Sequence, residues 1–454
     1  MSVEAHTIKF QLSLKSNLRW LADQLQIDRA VIYGIFANSS SILAGPVTIF
    51  MIVTHFSPEL QGFYYTFNNM LALRVFVELG LGTVIISFAS HEWSKLHLDK
   101  DGHIVGDSNA LSRLVSLGRL AFIWYFIGGF IASIGLGVGG YLFFSQGKLV
   151  LGISWMSPWF FLCSLTVINM WLTPALFLLE GCNQVRLIYA YRMIQGICVN
   201  ICTWIAILLG AGLWAAVVNA AVSIVCLVVF IFTKYRHFFK PMITYVTTSI
   251  IDWRTELWPM QWRIALGWMG GYFMSAFFTP LIFHYHGPVA AGQFGMTWAL
   301  FLAVGSISNI WLARKRPQFG MLIAKKDYGS LDKLFFRSAT VSIGIFGCGA
   351  LTLWLIIYSV YAINHPLAVR VMSPLPAGLF LLGMFFTYFT APFSYYLHAH
   401  NKEPNWGVSV SSAILVGLFA WILGKQFSTL GVSVAYVIVA IFFTFPCVMT
   451  VWYR

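Results

Sequence analysis

Charge is what this sequence has least of. Only 43 of its 454 residues, 9%, are Asp, Glu, Lys or Arg, where an ordinary soluble domain carries about 25%. With 59% hydrophobic residues and a mean hydropathy of +0.78, the surface itself must be apolar, which is tolerable only where lipid is the solvent. Cytosolic enzymes, secreted disulfide scaffolds and disordered tails are excluded on that ground. The hydrophobic runs are continuous and do not alternate at period two, which disfavours an outer-membrane barrel. No Gly-rich loop ending in Lys-Ser/Thr is present to cradle a nucleotide phosphate, so there is no ATPase domain. No connection is long enough to house a soluble enzyme. No cleavable signal is visible either, because the first 28 residues are mixed polar and the apolar run after them is too long for a signal-peptide core. The seven cysteines fall inside or at the ends of apolar segments. Cys198 and Cys202 share a helix face at i,i+4, the wrong geometry for a closed zinc site without nearby partners. They read as packing residues, and neither a metal nor a cofactor is expected.

What is present is a series of apolar runs long enough to cross a bilayer, each about 20 residues or more. Twelve are expected, at roughly 30–55, 63–90, 118–144, 155–180, 188–211, 213–233, 263–285, 289–312, 337–361, 376–398, 406–424 and 430–452. The cations test that count. Twenty-four Lys and Arg border the termini and the even-numbered connections, only Lys148, Arg370 and Lys425 border the odd-numbered ones, and Arg74 lies inside a span. That asymmetry is the positive-inside rule, with both termini cytoplasmic. The net charge of +13 is therefore a topology signal and does not point to nucleic acid. Two basic stretches read as amphipathic helices on the inner leaflet: the arm with Phe10, Leu14, Leu18, Leu21 and Leu25, and the central connection with Ile243, Val246, Ile250, Trp253 and Leu257. Packing on other cytoplasmic loops is the alternative for both.

The chain also repeats itself. Arg29 precedes Pro46 by 17 residues in the first span, as Arg263 precedes Pro280 by 17 in the seventh. Pro58-x3-Gly62 is matched by Pro288-x3-Gly292 at an offset of 230. Leu179-x3-Asn183 is echoed by Leu397-x3-Asn401, and Gly212 and Gly431 open the sixth and twelfth spans. An even number of spans per half gives both halves one orientation, a parallel repeat about an axis along the membrane normal. The expected fold is an all-α polytopic membrane protein of about 12 helices in two six-helix bundles. Its parts are an arm at 1–28, a first bundle at 29–233, a connection at 234–262 and a second bundle at 263–454. Pro46 and Pro280 each remove a helix hydrogen bond and can bend the first and seventh spans, as hinges or as static kinks.

Residues 45–96 carry a family resemblance. Ser57-Pro58-Glu59-Leu60-Gln61-Gly62 ends the first helix and Glu78-Leu79-Gly80-Leu81 lies in the second. This stretch resembles the O-antigen type of polysaccharide flippase within the multidrug/oligosaccharidyl-lipid/polysaccharide (MOP) exporter superfamily. The resemblance implies two six-helix bundles with cytoplasmic termini in a bacterial inner membrane. The implied substrate is an undecaprenyl-diphosphate-linked oligosaccharide, moved from the inner to the outer leaflet. It implies other membrane proteins of polysaccharide assembly as partners. The second half departs from the pattern, because Pro288-Val289-Ala290-Ala291-Gly292 lacks the glutamate.

Arg74 and Glu78 are the candidate site. They stand at i,i+4 in the second span, where a lone charge is expensive and faces a cavity or a partner. Arg74 meets the diphosphate in one reading, with Glu78 holding it or taking up a proton as the coupling group. In the other reading they are a permanent structural ion pair. Asn68 and Asn69 stand more than 100° from Arg74 on an ideal helix and fall outside that stripe. Arg29, Arg186, Arg192, Arg263 and Arg314 sit at cytoplasmic span ends, where arginine binds diphosphate bidentately or anchors topology. Arg29 and Arg263 stand apart by their symmetric placement. Glu180, His284, His286, His398 and His400 end spans and read as interface residues that titrate at most in coupling. Gly128, Gly135 and Gly139 of the third span read as close helix packing.

The expected function is therefore alternating-access transport of lipid-linked oligosaccharide for surface polysaccharide, and no enzymatic activity. A drug or organic-cation antiporter of the same superfamily is the alternative, but it would carry cavity acids without a compensating arginine. A membrane-embedded glycan polymerase or ligase is the more distant one, since convergent His, Arg or Asp on an external loop are missing.

Overall fold

The computed structural model of the chain describes residues 44–146, 152–313, 315–399 and 406–453. The N-terminal arm, Arg29, Arg314, His400 and Asn401 lie outside the described residues, as does the side chain of His398. Within the described residues, each expected span is helical. The first is described over Ala44–His55 and the second runs over Pro58–Glu78 and Leu81–Trp93. The third to sixth are Ser108–Gln146, Met156–Gly181, Val185–Leu208 and Trp214–Lys234. The seventh is Trp258–Phe273 with Phe278–His286, the eighth Pro288–Ala313, the ninth Tyr328–Ala362 and the tenth Pro374–Ala399. The last two share one helical stretch, Trp406–Val439, continued to Tyr453. Ser428 (φ 54°, ψ −134°) interrupts it. The chain reverses there, because Gly431 meets the Leu423 backbone and Gly424 meets Val432. No side chain at Gly431 fits that approach.

The two halves repeat one packing scheme. In the first, the second span packs on the third, the third on the fourth, and the sixth on the fourth and fifth. In the second half the eighth, ninth, tenth and twelfth spans pair in the same order. This is the two-bundle, parallel-repeat architecture. The joint between bundles is the second span against the eighth, and the seventh leans on the second from the other half.

Two departures from the sequence reading lie at the basic end, where the cation-rich connections emerge. The link between the second and third spans holds a two-stranded hairpin, Leu96–Leu98 against Ile104–Gly106, inside an otherwise helical protein. Asp99 Oδ1 accepts from the Asp101 and His103 amides, and Gly102 adopts φ 82°. An Asp-Gly pair is a known hairpin signal. The central connection is also not one amphipathic helix. It is a helix over Arg236–Thr244, an extended stretch, and a short turn over Trp253–Leu257. The Thr248 and Ser249 amides donate to Ser112 Oγ and the Ile251 amide to Ser116 Oγ, both on the third span. Side-chain oxygens there take the bonds a helix would have used. Ile243, Val246 and Ile250 remain exposed while Leu257 is buried.

Candidate functional site

The halves meet at the end opposite the basic connections. Ser57 caps the second span by accepting from the Leu60 amide, and Pro58 occupies its first turn, where a missing N–H costs nothing. Gly287 turns at φ 87°, and Pro288 opens the eighth span. The repeated Pro-x3-Gly segments lie against each other. A Cβ on Gly292 would stand 2.9 Å from the Gly62 nitrogen, and one on Gly295 2.6 Å from Tyr65 Cβ. Backbone meets backbone because both repeats supply glycine at the crossing. Gln61 is buried in this seam and donates to the Gly292 carbonyl at 2.8 Å and the Arg370 carbonyl at 3.0 Å.

Arg370 closes the seam from the connection between the ninth and tenth spans. Its Nη2 donates to the Phe56 carbonyl at 2.5 Å and its Nη1 to Gln61 Oε1 at 3.4 Å. Burial lowers its pKa from the ordinary arginine value, and the Glu59 carboxylate opposes that shift. In the sequence it was only one of three exceptions to the cation asymmetry. A cation on the side where cations are scarce was the signal to follow.

Arg74 lies deeper, 16 residues past Pro58, or about 24 Å along the helix axis. Its Nε is 3.3 Å from Glu78 Oε1, with side-chain exposures of 45% and 14%. The second span breaks here. Residues Ala72–Arg74 form a 3-10 turn, Leu79 and Gly80 take φ 47° and 66°, and the two helical pieces meet at 50°. Left-handed backbone costs a non-glycine residue on the order of 1–2 kcal/mol, so the surroundings must hold Leu79 in place. Trp124 Nε1 donates to the Val77 carbonyl that the break leaves open, at 3.1 Å. A Cβ on Gly80 would meet Ile264 of the seventh span at 2.5 Å. The buried Tyr125 hydroxyl of the third span lies in the field of Glu78 and Arg74 and next to the Gly82 backbone.

Arg74 lines a polar cavity of about 390 Å³ formed by the second, fourth, fifth and sixth spans. Asn68, Thr166, Asn169, Gln195, Asn219 and Ser223 supply its polar wall, and among the described residues Arg74 is the one charged residue lining it. Local bonds hold the amides: Asn68 donates to the Tyr64 carbonyl, Gln195 to the Ser223 carbonyl and Asn219 to Thr203 Oγ1. Asn68 therefore corrects the sequence reading, which set it apart from Arg74. Six ideal helical steps leave the two residues about 120° apart. Replacing three of them by 3-10 steps of about 120° brings the separation to about 60°. Gly135 and Gly139 are a second correction. Among the described residues nothing stands within 4 Å of where their Cβ atoms would be, whereas Gly128 does pack on Val77. The two open glycines line an apolar cleft of about 340 Å³ between the second and third spans, which Arg74 also borders.

The remaining candidates are scattered. Arg263 is exposed beside Ile264 and does not line the Arg74 cavity. Pro46 is exposed in the first span, while Pro280 is buried just past a break in the seventh at residues 274–277. Arg192 pairs with Glu180 at 3.1 Å. His286 Nε2 bonds the Gly424 carbonyl at 2.8 Å, and the His284 ring lies by Phe143. Among the described residues no group of three His, Cys, Asp or Glu is placed to hold a metal ion. At the offset of 230 the eighth span carries Val304 and Ser308 in place of Arg74 and Glu78. Ser308 bonds Ser342 instead. Among the described residues, the positions equivalent to Arg74 and Glu78 in the second half carry no charge.

Comparison with protein-family models and with curated proteins finds no match. Solved structures do match over nearly the whole chain. A lipid II flippase, MurJ, in an inward closed conformation aligns with TM-score 0.67 at 10% identity, covering 93% of this chain and 88% of that one. An inward-facing multidrug MATE transporter of the MOP superfamily aligns with TM-score 0.59 at 13% identity, over 92% and 94%. A Vibrio cholerae MATE transporter aligns with TM-score 0.57 at 14% identity, over 96% and 97%. The chain is thus a multi-pass membrane protein with the fold of MOP-superfamily transporters. At these identities the likeness is one of fold.

Proposed function

We propose that the chain is a flippase for an undecaprenyl-diphosphate-linked oligosaccharide. It carries that lipid across a bacterial inner membrane, from the basic, cytoplasmic end to the seam end, by alternating access between its halves. The observation that carries this reading is Arg74: among the described residues it is the one guanidinium at the edge of an amide-lined cavity, and no described carboxylate lines that cavity. Guanidinium binds diphosphate oxygens bidentately, and amide and hydroxyl groups suit a neutral, hydroxyl-rich glycan. A cationic drug would meet a like charge there, which disfavours the antiporter reading. The higher TM-score against the lipid II flippase than against the two MATE transporters points the same way. Glu78 is the coupling group in this scheme, held against Arg74 until substrate or a proton separates them. Arg29 and Arg263 gather anionic lipid at the mouth, and Pro46 and Pro280 are the hinges. The glycan is destined for surface polysaccharide, with membrane proteins of that assembly line as partners.

The test is the leaflet on which lipid-linked glycan accumulates in cells lacking the gene. Accumulation on the cytoplasmic leaflet, rescued by the wild-type chain and not by Arg74→Ala, is expected. Short chains on the outer leaflet would refute the reading in favour of a polymerase or ligase. Unchanged glycan with altered sensitivity to cationic compounds would refute it in favour of drug export.

A further inference from the structure

One polar group beside Arg74 and Glu78 is buried with nothing to bond. Tyr125 stands on the inward stripe of the third span, with Ala121 at i−4 and Ala132 at i+7 buried on the same stripe. Those neighbours are small, and the ring between them reaches the fourth span. Its centroid is 6.2 Å from that of Phe177, and Phe177 occupies the place that a Cβ on Gly82 would need, at 2.5 Å. Gly82 follows the break at Leu79 and Gly80 and lies four residues beyond Glu78. Tyr125 is 1% exposed, and its hydroxyl has no hydrogen-bond partner among the described residues. Buried hydroxyls are nearly always bonded, and one left alone raises the energy of the state that contains it. The charged groups acting on this one are Glu78 and Arg74.

The carboxylate nearby is held from one side. Glu78 meets Arg74 through Oε1 at 3.3 Å and forms no other ion pair among the described residues. Arg74 also lines the amide-walled cavity, so a diphosphate entering there competes for the same guanidinium. Its success would strand a carboxylate at membrane depth, which is expensive. The neighbouring Trp124 is already engaged, because its Nε1 donates to the Val77 carbonyl. The Tyr125 O–H is not engaged.

We propose that Tyr125 is the second partner of Glu78: as the diphosphate draws Arg74 away, the carboxylate turns from the guanidinium to the Tyr125 hydroxyl, which donates a hydrogen bond to it. The step rests on the flippase reading of Arg74 and adds the group that makes release of the guanidinium tolerable. Tyr125 lines neither space that Arg74 borders. It acts through Glu78, as a positioning residue. The hydroxyl unpaired in the empty carrier and the carboxylate stranded in the loaded one satisfy each other, which keeps the two states close enough in energy for both to be visited.

The experiment measures undecaprenyl diphosphate binding and thermal unfolding of the full chain in nanodiscs. Tyr125→Phe removes one oxygen and keeps the ring, so it should not lower the Tm of the empty protein. It should weaken undecaprenyl diphosphate binding by about 10- to 150-fold, the range of one hydrogen bond to a charged group. In a Glu78→Ala background no acceptor is left, and the same substitution should leave binding unchanged. Tyr191→Phe, at another buried hydroxyl without a described partner, on the fifth span, should also leave it unchanged. Melting tests the exchange without any lipid. Arg74→Ala strands the carboxylate as the diphosphate does, so Tyr125→Phe should lower the Tm in that background and not in the wild type. Additive melting shifts would overturn the proposal, as would an equal loss of binding with and without Glu78. If Arg74→Ala abolishes binding while Tyr125→Phe binds like the wild type, the role of Tyr125 falls and the flippase stands. If the wild-type chain neither binds nor flips this lipid, the flippase reading falls, and the melting comparison alone decides whether Glu78 turns to Tyr125.

Discussion

Gly62→Ala should open the seam. A Cβ at that position would lie 2.5 Å from the Pro288 carbonyl carbon and 2.8 Å from its Cα, where ordinary contact begins at 3.4 Å. The obstacle is backbone on a helix pinned by Gly292 and Gly295, so no rotamer change relieves it. The second and eighth spans must part by about 1 Å, which also strains the Gln61 bonds to Gly292 and Arg370. Overpacking of this kind costs about 1–3 kcal/mol. If the sealed seam is one state of an alternating carrier, that energy falls on the sealed state alone. The population then shifts toward the seam-open state by about 5- to 150-fold. The assay is labelling of Tyr65→Cys by a membrane-impermeant maleimide from the outer face, in a chain whose native cysteines are replaced. Tyr65 faces Gly295 across the crossing, so its label rate reports separation. At least a fivefold faster rate with Gly62→Ala is expected, with Pro288→Ala as a milder control. An unchanged rate in a folded, inserted protein would refute the argument that this crossing is a gate.

Three further outcomes follow from the same geometry. Arg370→Ala removes a charged donor to the Phe56 carbonyl and to Gln61, worth about 1.5–3 kcal/mol, and should speed Tyr65→Cys labelling in the same direction. An unaltered rate would leave Arg370 without a part in the seal. Arg74→Ala should abolish export with the protein still inserted and abundant, and Arg74→Lys should restore only part of it, because a lysine cannot make the bidentate contact. Full export by Arg74→Ala would make the Arg74–Glu78 pair structural. Glu78→Gln keeps the shape and removes the charge, so export measured from pH 5 to 8 should lose its pH dependence. A preserved profile would move coupling elsewhere.

Much of the molecule is legible from residue order alone, for definite reasons. Lipid admits only segments that satisfy their own backbone, so twelve apolar runs mark the spans, and the lopsided cation distribution gives the direction expected for them. Pro58-x3-Gly62 and Pro288-x3-Gly292 reveal the duplication because each copy must solve the same crossing. What the sequence could not supply is which of those features face one another. Asn68 joins Arg74 only because a 3-10 turn rotates the second span between them. Gly135 and Gly139 have the spacing of packing glycines, yet they line a cleft because no described residue comes within 4 Å of their Cβ positions. Arg370 reads as a stray cation until the ninth-to-tenth connection is folded over the second span. Composition and period are properties of one helix and its solvent. The seam, the cavity and the cleft depend on which helices become neighbours, and that was settled only when the two bundles packed.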